Sequence, residues 1–588
     1  MPIRTCDPQP SSKVGAGLLR GAKLRNRLPL SAAIAAISLS SPAFAQSVPP
    51  ILITPDVIAP KRQKDDFQLR LPKVQALEAP RIGADLTVTL NDVIVDGQLS
   101  EASEETKQIA ASIIGRPVSV SQIYAAASEI EAVYARQGFI FIRVTVPPQE
   151  VKENGTIRFL ITRGFIEKTD VDRLPKRVQD SVANTLRHIQ RDSQVKISKI
   201  EKALLLANDI PGIKIRSTFM RGEEFSGTQL IIEGSHKSIS GEIGIDNQYD
   251  NSLGQWGIHA SLSLNSLLSA GEQIYGFIAT GKDFDRFLSA DAPVKVYGGG
   301  ANFRILGGKI TINPEAIYSQ TYPKASDGAL KTLGKLSRLS VRTTYTIQLR
   351  RSFTWRAALS LDRIKEITSA PDFDFEISRD DYGALRANVN LSGFDAGGLS
   401  YAASMQLSKG LWSSKSSTFF GPISIEIPYS RQGARGSFTK FNAQVRFNFI
   451  LKRDFDAAVN LKAQSTLGDP VFRSEQMSLS GADFLSAFRG ELSLIDDGLA
   501  ARIEIGKSFR FREKDESGSL RLYTFSSYGI GRLNNPTALE NKQVKATNLG
   551  LGINAAFFNK FNATIEFAHG FSGSISANRV NLGASFSF

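Results

Sequence analysis

Beyond Lys237, apolar and polar residues alternate through most of the remaining chain. Leu339, Val341, Thr343, Tyr345, Ile347 and Leu349 take one face, while Ser340, Arg342, Thr344, Thr346, Gln348 and Arg350 take the other. That period of two is the one a β-strand imposes. Phe353, Trp355, Ala357, Leu359 and Leu361 then alternate with Thr354, Arg356, Ala358, Ser360 and Asp362, which predicts a hairpin with a short turn. Phe441 to Phe449 and Phe455 to Leu461 repeat the pattern, and Val580, Leu582, Ala584, Phe586 and Phe588 oppose Arg579, Asn581, Gly583, Ser585 and Ser587. Strands of about ten residues with one aromatic-rich and one polar face belong to a transmembrane barrel with a wet lumen. Strands of soluble sheets average about 5 to 6 residues. Residues 237–588 are therefore expected to form a transmembrane antiparallel β-barrel of about sixteen strands, and the chain is mostly β.

Upstream the period changes. Leu86, Val88 and Leu90 alternate as a strand; Glu101 to Ile114 reads as a helix; Ile123, Ala127, Ile130, Val133 and Tyr134 share one helical face. Strands follow at Phe139 to Val146, stopped by Pro147 and Pro148, and at Ile157, Phe159 and Ile161. This predicts a small α+β domain over residues 81–165. Residues 166–236 repeat the theme, with helices near Val178 to Ile189 and Ser198 to Leu206 and strands near Ile213 to Phe219 and Thr228 to Ile232. Between residues 46 and 80, six prolines and a charged cluster at Lys61, Arg62, Lys64, Asp65 and Asp66 predict an extended linker.

The amino terminus reads as a secretory leader: Arg20, Lys23, Arg25 and Arg27, an apolar run from Leu28 to Leu39, then Ala43-Phe44-Ala45 before Gln46. Loss of residues 1–45 also removes Cys6, the sole cysteine, which leaves neither disulfides nor thiolate metal sites. After the leader no apolar run approaches the ~20 residues of a transmembrane helix. A chain that spans lipid without such helices must close a barrel, because unpaired backbone groups are not tolerated there. The 36 Phe and 48 Gly against 4 Met fit strands and tight turns. The formal net charge of +14 is spread along the sequence, which suits a wet interior or periplasmic face and gives no expectation of nucleic-acid binding.

Several stretches carry a family resemblance. In the first domain they are Gly138-Phe139, Arg143-Val144, Pro148-Gln149, Gly155 and Arg163-Gly164; in the second, Asp209-Ile210-Pro211-Gly212 and Gly227-Thr228; at barrel entry, Asp246-Asn247, Gly254, Asn265 and Gly271. With the order of leader, linker, two α+β domains and barrel, the chain resembles the two-partner secretion transporters, the hemolysin and filamentous-hemagglutinin secretion/activation family. The α+β units look like POTRA domains, and the resemblance implies partner docking at Phe139, Arg143 and Gln149. Phe488-Arg489-Gly490, followed by Asp496-Asp497-Gly498 and a strand containing Glu504, resembles the family's long sixth extracellular loop, whose Arg-Gly tip folds back into the lumen. A guanidinium suits that place, being always charged and offering five donors. The family's inner-wall partner is a Phe-x-Asp-x-Gly strand. Here it reads Phe525-Ser526-Ser527-Tyr528-Gly529, so Ser527 replaces the carboxylate, and Arg489 is expected to meet a hydroxyl or another acid. Phe586 and Phe588 resemble the signal by which the barrel-assembly machinery inserts outer-membrane barrels. The family's plug helix is not expected here, given the prolines between Gln46 and Pro80.

Catalysis finds no foothold. His188, His236, His259 and His569 lack metal-ligand spacing. Gly276 to Lys282 imitates a phosphate loop, but Asp283 stands where Ser or Thr is needed, and the segment alternates as a strand. No cofactor is expected. The resemblance implies a non-enzymatic transporter in the outer membrane, surrounded by its lipid, with POTRA-like domains in the periplasm that receive a large unfolded secreted partner such as an adhesin or hemolysin. Two rivals stand beside it: a barrel-assembly insertase of the same superfamily, and a passive porin, which accounts for the barrel but not for residues 82 to 235.

Overall fold

The computed structural model describes residues 84–325, 330–420, 423–490, 492–513, 516–538, 540–558 and 560–588, and the backbone of Gln68–Arg70. The expected leader and most of the linker lie outside the described residues. Gln68–Arg70 is strand β1. The first domain runs β2 (Thr87–Asp96), α1 (Ser103–Ser112), β3 (Pro117–Ser119), α2 (Val120–Arg136), β4 (Ile142–Thr145) and β5 (Gly155–Arg163). Helix α2 starts where Ser119 closes a capping box with Gln122, and it buries Ile123, Ala126, Ala127, Ile130, Val133 and Tyr134 against a sheet ordered β3-β2-β5-β4. The second domain comprises β6 (Phe165–Arg173), α3 (Lys176–Leu186), α4 (Ile197–Asn208), β7 (Ile213–Arg221) and β8 (Gly227–His236), with sheet order β1-β7-β8-β6. Strand β6 had no counterpart in the sequence reading, because Glu167, Lys168, Asp170 and Asp172 break its apolar alternation. β1 pairs with β7 in parallel, so part of the linker is a sheet edge.

The barrel strands are β9 (Ile239–Asp246), β10 (Gly257–Asn265), β11 (Gln273–Gly281), β12 (Val294–Ile305), β13 (Ile310–Thr321), β14 (Leu333–Leu349), β15 (Phe353–Ala370) and β16 (Phe375–Phe394). They continue as β17 (Leu399–Ser413), β20 (Thr439–Ile450), β21 (Phe455–Ser465), β22 (Asp497–Glu513), β23 (Glu516–Arg532), β24 (Gln543–Phe557), β25 (Phe561–Ser572) and β26 (Ile575–Ser587). A small hairpin, β18 (Ser416–Phe420) with β19 (Ile423–Ile427), rises from the loop after β17. All sixteen barrel strands are antiparallel to their neighbours, and β26 closes on β9 from Gly583↔Asp246 to Ser587↔Glu242. Closure leaves no lipid-exposed edge, which is what permits strands to cross a membrane. No helix among the described residues is long and apolar enough to do so.

Outward positions are apolar, as in Leu339, Leu359, Ile503 and Leu551, all more than half exposed on the isolated chain. Inward positions are polar and covered, as in Ser340, Asp362, Arg502 and Asn548. One expectation fails at the end of β14. The register jumps between Thr346 and Gln348, so Ile347 is an extra residue and the face reverses. Leu349, expected beside Leu339 and Val341, instead lies buried against Leu205 and Leu206 of α4.

Because β9 leaves the second domain, its first residue marks the periplasmic end, and every second turn thereafter is periplasmic. Helix α4 docks on those turns. Arg356 Nη2 lies 2.6 Å from Asp209 Oδ2, Arg351 Nε 2.7 Å from Glu201 Oε1, and Arg304 Nη2 donates to the Leu206 carbonyl at 2.7 Å. The carbonyl end of a helix attracts cations, and two arginines of the barrel rim, Arg304 and Arg356, meet it there, while Arg351 pairs with Glu201 nearer the helix start.

Candidate functional site: the loop held inside the barrel

The sixth extracellular loop, residues 466–496, turns into the lumen instead of standing above it. Its base is closed by the two aspartates singled out in the sequence. Asp496, fully buried, accepts from the Asn534 amide at 2.7 Å and from Gln476 Nε2 at 3.1 Å, with Arg431 Nη2 at 3.4 Å. Burial pushes its carboxyl up from the usual range, against these donors. Asp497 accepts from Thr466 N at 2.6 Å and Asn534 Nδ2 at 2.8 Å. Gly498 is required by packing: a Cβ there would stand 2.3 Å from Ile495 Cδ1 and 2.6 Å from the Ile530 carbonyl.

Two anchors hold the descending part. On one wall Glu475, 2 % exposed, receives Arg386 Nη2 at 2.5 Å, Lys440 Nζ at 2.5 Å and the Tyr382 hydroxyl at 2.8 Å. Burial alone would raise its carboxyl, but Arg386 and Lys440 outweigh it and hold the group well below the carboxylate range. Phe472 stacks on Tyr382 beside it, with ring centroids 4.5 Å apart. On the other wall Leu479, Phe484, Leu485, Ala487, Phe488 and Ile495 form an apolar cluster with Ala500, Tyr523, Phe525, Ala546 and Ala568 of β22–β25.

The register explains this second seat. Arg502, Ser527, Asn548 and Gly570 are paired neighbours on four successive strands. Arg502 Nη1 donates to the Ala482 carbonyl at 3.1 Å and to Ser486 Oγ at 3.4 Å, while Nη2 meets Glu566 at 2.5 Å and Nε meets Glu504 at 2.8 Å. Its guanidinium lies 3.7 Å from the Phe525 ring centroid. With its amide turned to satisfy both neighbours, Asn548 donates to Ser527 Oγ at 3.0 Å and accepts from Ser486 N at 2.9 Å and Ala487 N at 3.3 Å. A Cβ on Gly570 would come within 2.7 Å of Ala487 Cβ and Phe488 Cε2, and one on Gly529 within 2.8 Å of Leu485 Cδ1. The glycines make room for the loop.

The predicted residues therefore gather, with different partners. Phe525, Ser527 and Gly529 line the seat, and Phe488 is buried in it. Ser527 reaches the loop through Asn548. Arg489 does not meet Ser527: Nη1 donates to Asn251 Oδ1 at 3.0 Å, in the first extracellular loop, and the space at Gly490 faces Asp250. The arginine at the centre of the seat is Arg502, on the wall. Glu475, Arg502, Asn548, Glu566 and Gly570 went unrecognised in the sequence, where only the lumen-facing parity of Arg502 and Asn548 pointed to them.

The docking residues have other surroundings. Phe139 is buried, edge-on to Tyr134 at 6.4 Å; Arg143 is paired with Glu131 at 2.8 Å; Gln149 bonds the backbone of Arg158 at both N (2.8 Å) and O (2.9 Å). Arg143 and Gln149 are engaged within their own domain, and Phe139 also carries Lys196 Nζ of the second domain 4.7 Å from its ring centroid. Phe586 faces outward, and Phe588 exchanges backbone hydrogen bonds with Gly241 at 3.0 and 3.1 Å. Among the described residues no group of three or more His, Cys, Asp or Glu could hold a metal ion.

A family model for the haemolysin secretion/activation proteins ShlB/FhaC/HecB matches residues 227–555, more than half of the chain. The chain belongs to this family. A second model, the ShlB-type POTRA domain, matches residues 88–164. Membership in this family places the barrel in the outer membrane and the POTRA region in the periplasm. Relatives include the heme/hemopexin transporter protein HuxB of Haemophilus influenzae strain 86-028NP, 24 % identical over 180 residues, which are 29 % of this chain and 31 % of HuxB. The chain thus matches under a third of that relative's length. Among solved structures, CdiB from Escherichia coli superposes with a TM-score of 0.68 at 15 % identity, covering 93 % of this chain and 95 % of that one. CdiB from Acinetobacter baumannii gives 0.58 at 12 % identity, over 85 % and 90 %. At such identities these two likenesses speak for the fold alone.

Proposed function

We propose that this two-partner secretion transporter takes an unfolded secreted polypeptide from the periplasm, passes it through the barrel and releases it outside. The observation that carries the reading is the periplasmic mouth of the lumen, a cavity of about 690 Å³ bounded below by residues 208–213 of the second α+β domain. Its wall offers Asn302, Asn313, Asn388, Asn390, Gln406 and Gln444, with Arg304, Arg342 and Arg356, and Asp209 is the sole carboxylate among the lining residues. Amides both donate and accept, so they can exchange hydrogen bonds with the backbone of any extended chain without regard to its sequence. A passive pore has no use for two domains at its mouth.

Strand addition at the β6 edge, beyond the Ile166–Gln190 bridge, suits capture better than the engaged Phe139, Arg143 and Gln149, whereas the β4 edge spends its Val144 amide on Glu131. The loop seated by Glu475 and Arg502 narrows the path, and its displacement accompanies passage. Deletion of residues 84–235 tests the reading in a strain that supplies the partner. Secretion is expected to stop while the barrel stays inserted and other outer-membrane proteins keep their levels. Continued secretion would refute it, and loss of other barrels with intact secretion would make the protein an insertase.

A further inference from the structure

The lipid-facing wall of β12–β17 carries a depression beneath a band of basic residues. Gly299 and Ala316 leave a depression of about 540 Å³, floored and flanked by Leu339, Val341 and Leu361, each more than half exposed. Stacked Tyr297 and Tyr318, with centroids 5.0 Å apart, stand at one side. At the other lies Trp412, whose indole covers Gly383 so closely that a Cβ there would meet Nε1 at 2.3 Å. Aromatic side chains of this kind mark the membrane-water interface.

Directly above the depression, toward the extracellular ends, the outward positions turn basic. Arg363 follows Leu361 on the same face and lies 5.8 Å from the Trp412 ring, with its side chain 61 % exposed. Lys365 is the next outward residue of β15, Lys335 lies two outward steps above Leu339 on β14, and Lys409 follows Leu407 on β17. Lys409 Nζ is held by the Ser437 carbonyl at 2.8 Å and Thr439 Oγ1 at 2.9 Å. One acid sits among them: Asp381, 3.3 Å from Arg363 and opposite Lys365 in the register. Arg379, the next outward residue of β16, is paired with Glu376, so five cations against two carboxylates leave three positive charges in excess. The corresponding outward positions on β23 and β24 hold Arg532, paired with Asp497, and Lys545, and those on β25 and β26 hold His569, Phe571, Ser576 and Asn578, so these strands gather fewer cations.

We propose that this face binds a phosphorylated, multiply acylated glycolipid of the outer leaflet, its phosphates on Arg363, Lys365, Lys335 and Lys409 and its acyl chains in the depression. The charge complementarity selects this occupant: cations on a lipid-facing wall are tolerated near the interface, and phosphate pairs with guanidinium and ammonium. The three excess charges match a headgroup with more than one phosphate. The inference rests on the barrel's place in the outer membrane and is independent of what the barrel exports.

The test titrates the full-length protein in detergent with deep-rough lipopolysaccharide, its dephosphorylated form and phosphatidylglycerol. The wild type is expected to bind the phosphorylated glycolipid at least tenfold more tightly than either alternative. The variant Arg363→Ala/Lys365→Ala/Lys409→Ala should lose that tenfold preference while keeping heat-modifiable migration, the sign of a folded barrel. Should the triple variant fail to fold, wild-type affinity must still fall steeply with added salt. Equal glycolipid binding by variant and wild type, salt-independent binding, or an equal affinity for phosphatidylglycerol would each overturn the proposal.

Discussion

Glu475→Gln probes the loop's attachment most sharply. The substitution keeps the shape of the side chain and removes its charge, leaving Lys440 and Arg386 facing a neutral amide in a buried site. Breaking a buried ion pair from one side costs roughly 3 to 5 kcal/mol. Arg386 keeps Asp362 at 2.6 Å, so the lower end applies, about 3 kcal/mol. Tenfold per 1.4 kcal/mol makes this about a 10²-fold rise in the undocked population of the loop. Ser478, 7 % exposed in the loop, is nearly isosteric with cysteine, and Cys6 is the sole native cysteine. The rate at which Ser478→Cys reacts with a membrane-impermeant maleimide on intact cells reports the undocked population. Glu475→Gln should raise that rate about 10²-fold at unchanged heat-modifiability. An equal rate in both backgrounds would mean that the Glu475 clamp does not hold the loop.

The direction of the Glu475 shift fixes a pH dependence. A carboxylate held below its ordinary range stabilises the docked loop at every pH above that range and loses its contribution only as pH falls through the lowered value. Loop protection, measured by Ser478→Cys labelling corrected for thiol ionisation, should therefore be no weaker at pH 5 than at pH 7, since the raised Asp496 carboxyl favours the docked loop as pH falls. A release between those values would contradict the clamp. Gly529→Val places a side chain against Leu485 and Leu479, and overpacking of this kind costs about 1 to 3 kcal/mol. It should speed the same labelling by about 5-fold or more, whereas Tyr528→Val, on the lipid face, should leave it unchanged. Reversing the Asp209–Arg356 pair tests the POTRA-barrel joint: either Asp209→Arg or Arg356→Asp should reduce secretion, and the double exchange should restore part of it. A double variant no better than the singles would show that the pair is not what joins them.

Much of the fold was legible because a barrel wall repeats one rule. Each strand faces lipid on one side and water on the other, so Leu339 to Tyr345 or Phe441 to Phe449 declare themselves within ten residues. The rule broke at Ile347, where one inserted residue turned Leu349 toward α4; a bulge leaves no mark in composition. Strand β6 escaped because its charged residues face solvent on a soluble sheet edge. The site was legible in part. Gly498, Gly529 and the Asp496-Asp497 pair stand where the loop needs close approach or backbone acceptors. Glu475 and Arg386 lie 89 positions apart, and Arg502 and Glu566 lie 64 apart. No local period links such residues, so only closure of the barrel brings them together. Arg489 was assigned to the wall by resemblance, but with Ser527 in place of a carboxylate the wall carries its own arginine, and Arg489 turns to Asn251.

The central claim is that a polypeptide passes through the amide-lined lumen. A photo-crosslinking residue placed at Gln406, which lines the cavity, or at its neighbour Leu407, which faces lipid, separates the lumen from the outside by one step along β17. With the secreted partner stalled by a tightly folded domain at its trailing end, the account predicts crosslinks to the partner from Gln406 and none from Leu407. Crosslinks from Leu407 alone, or from neither position while the partner's leading end is exposed outside the cell, would contradict it.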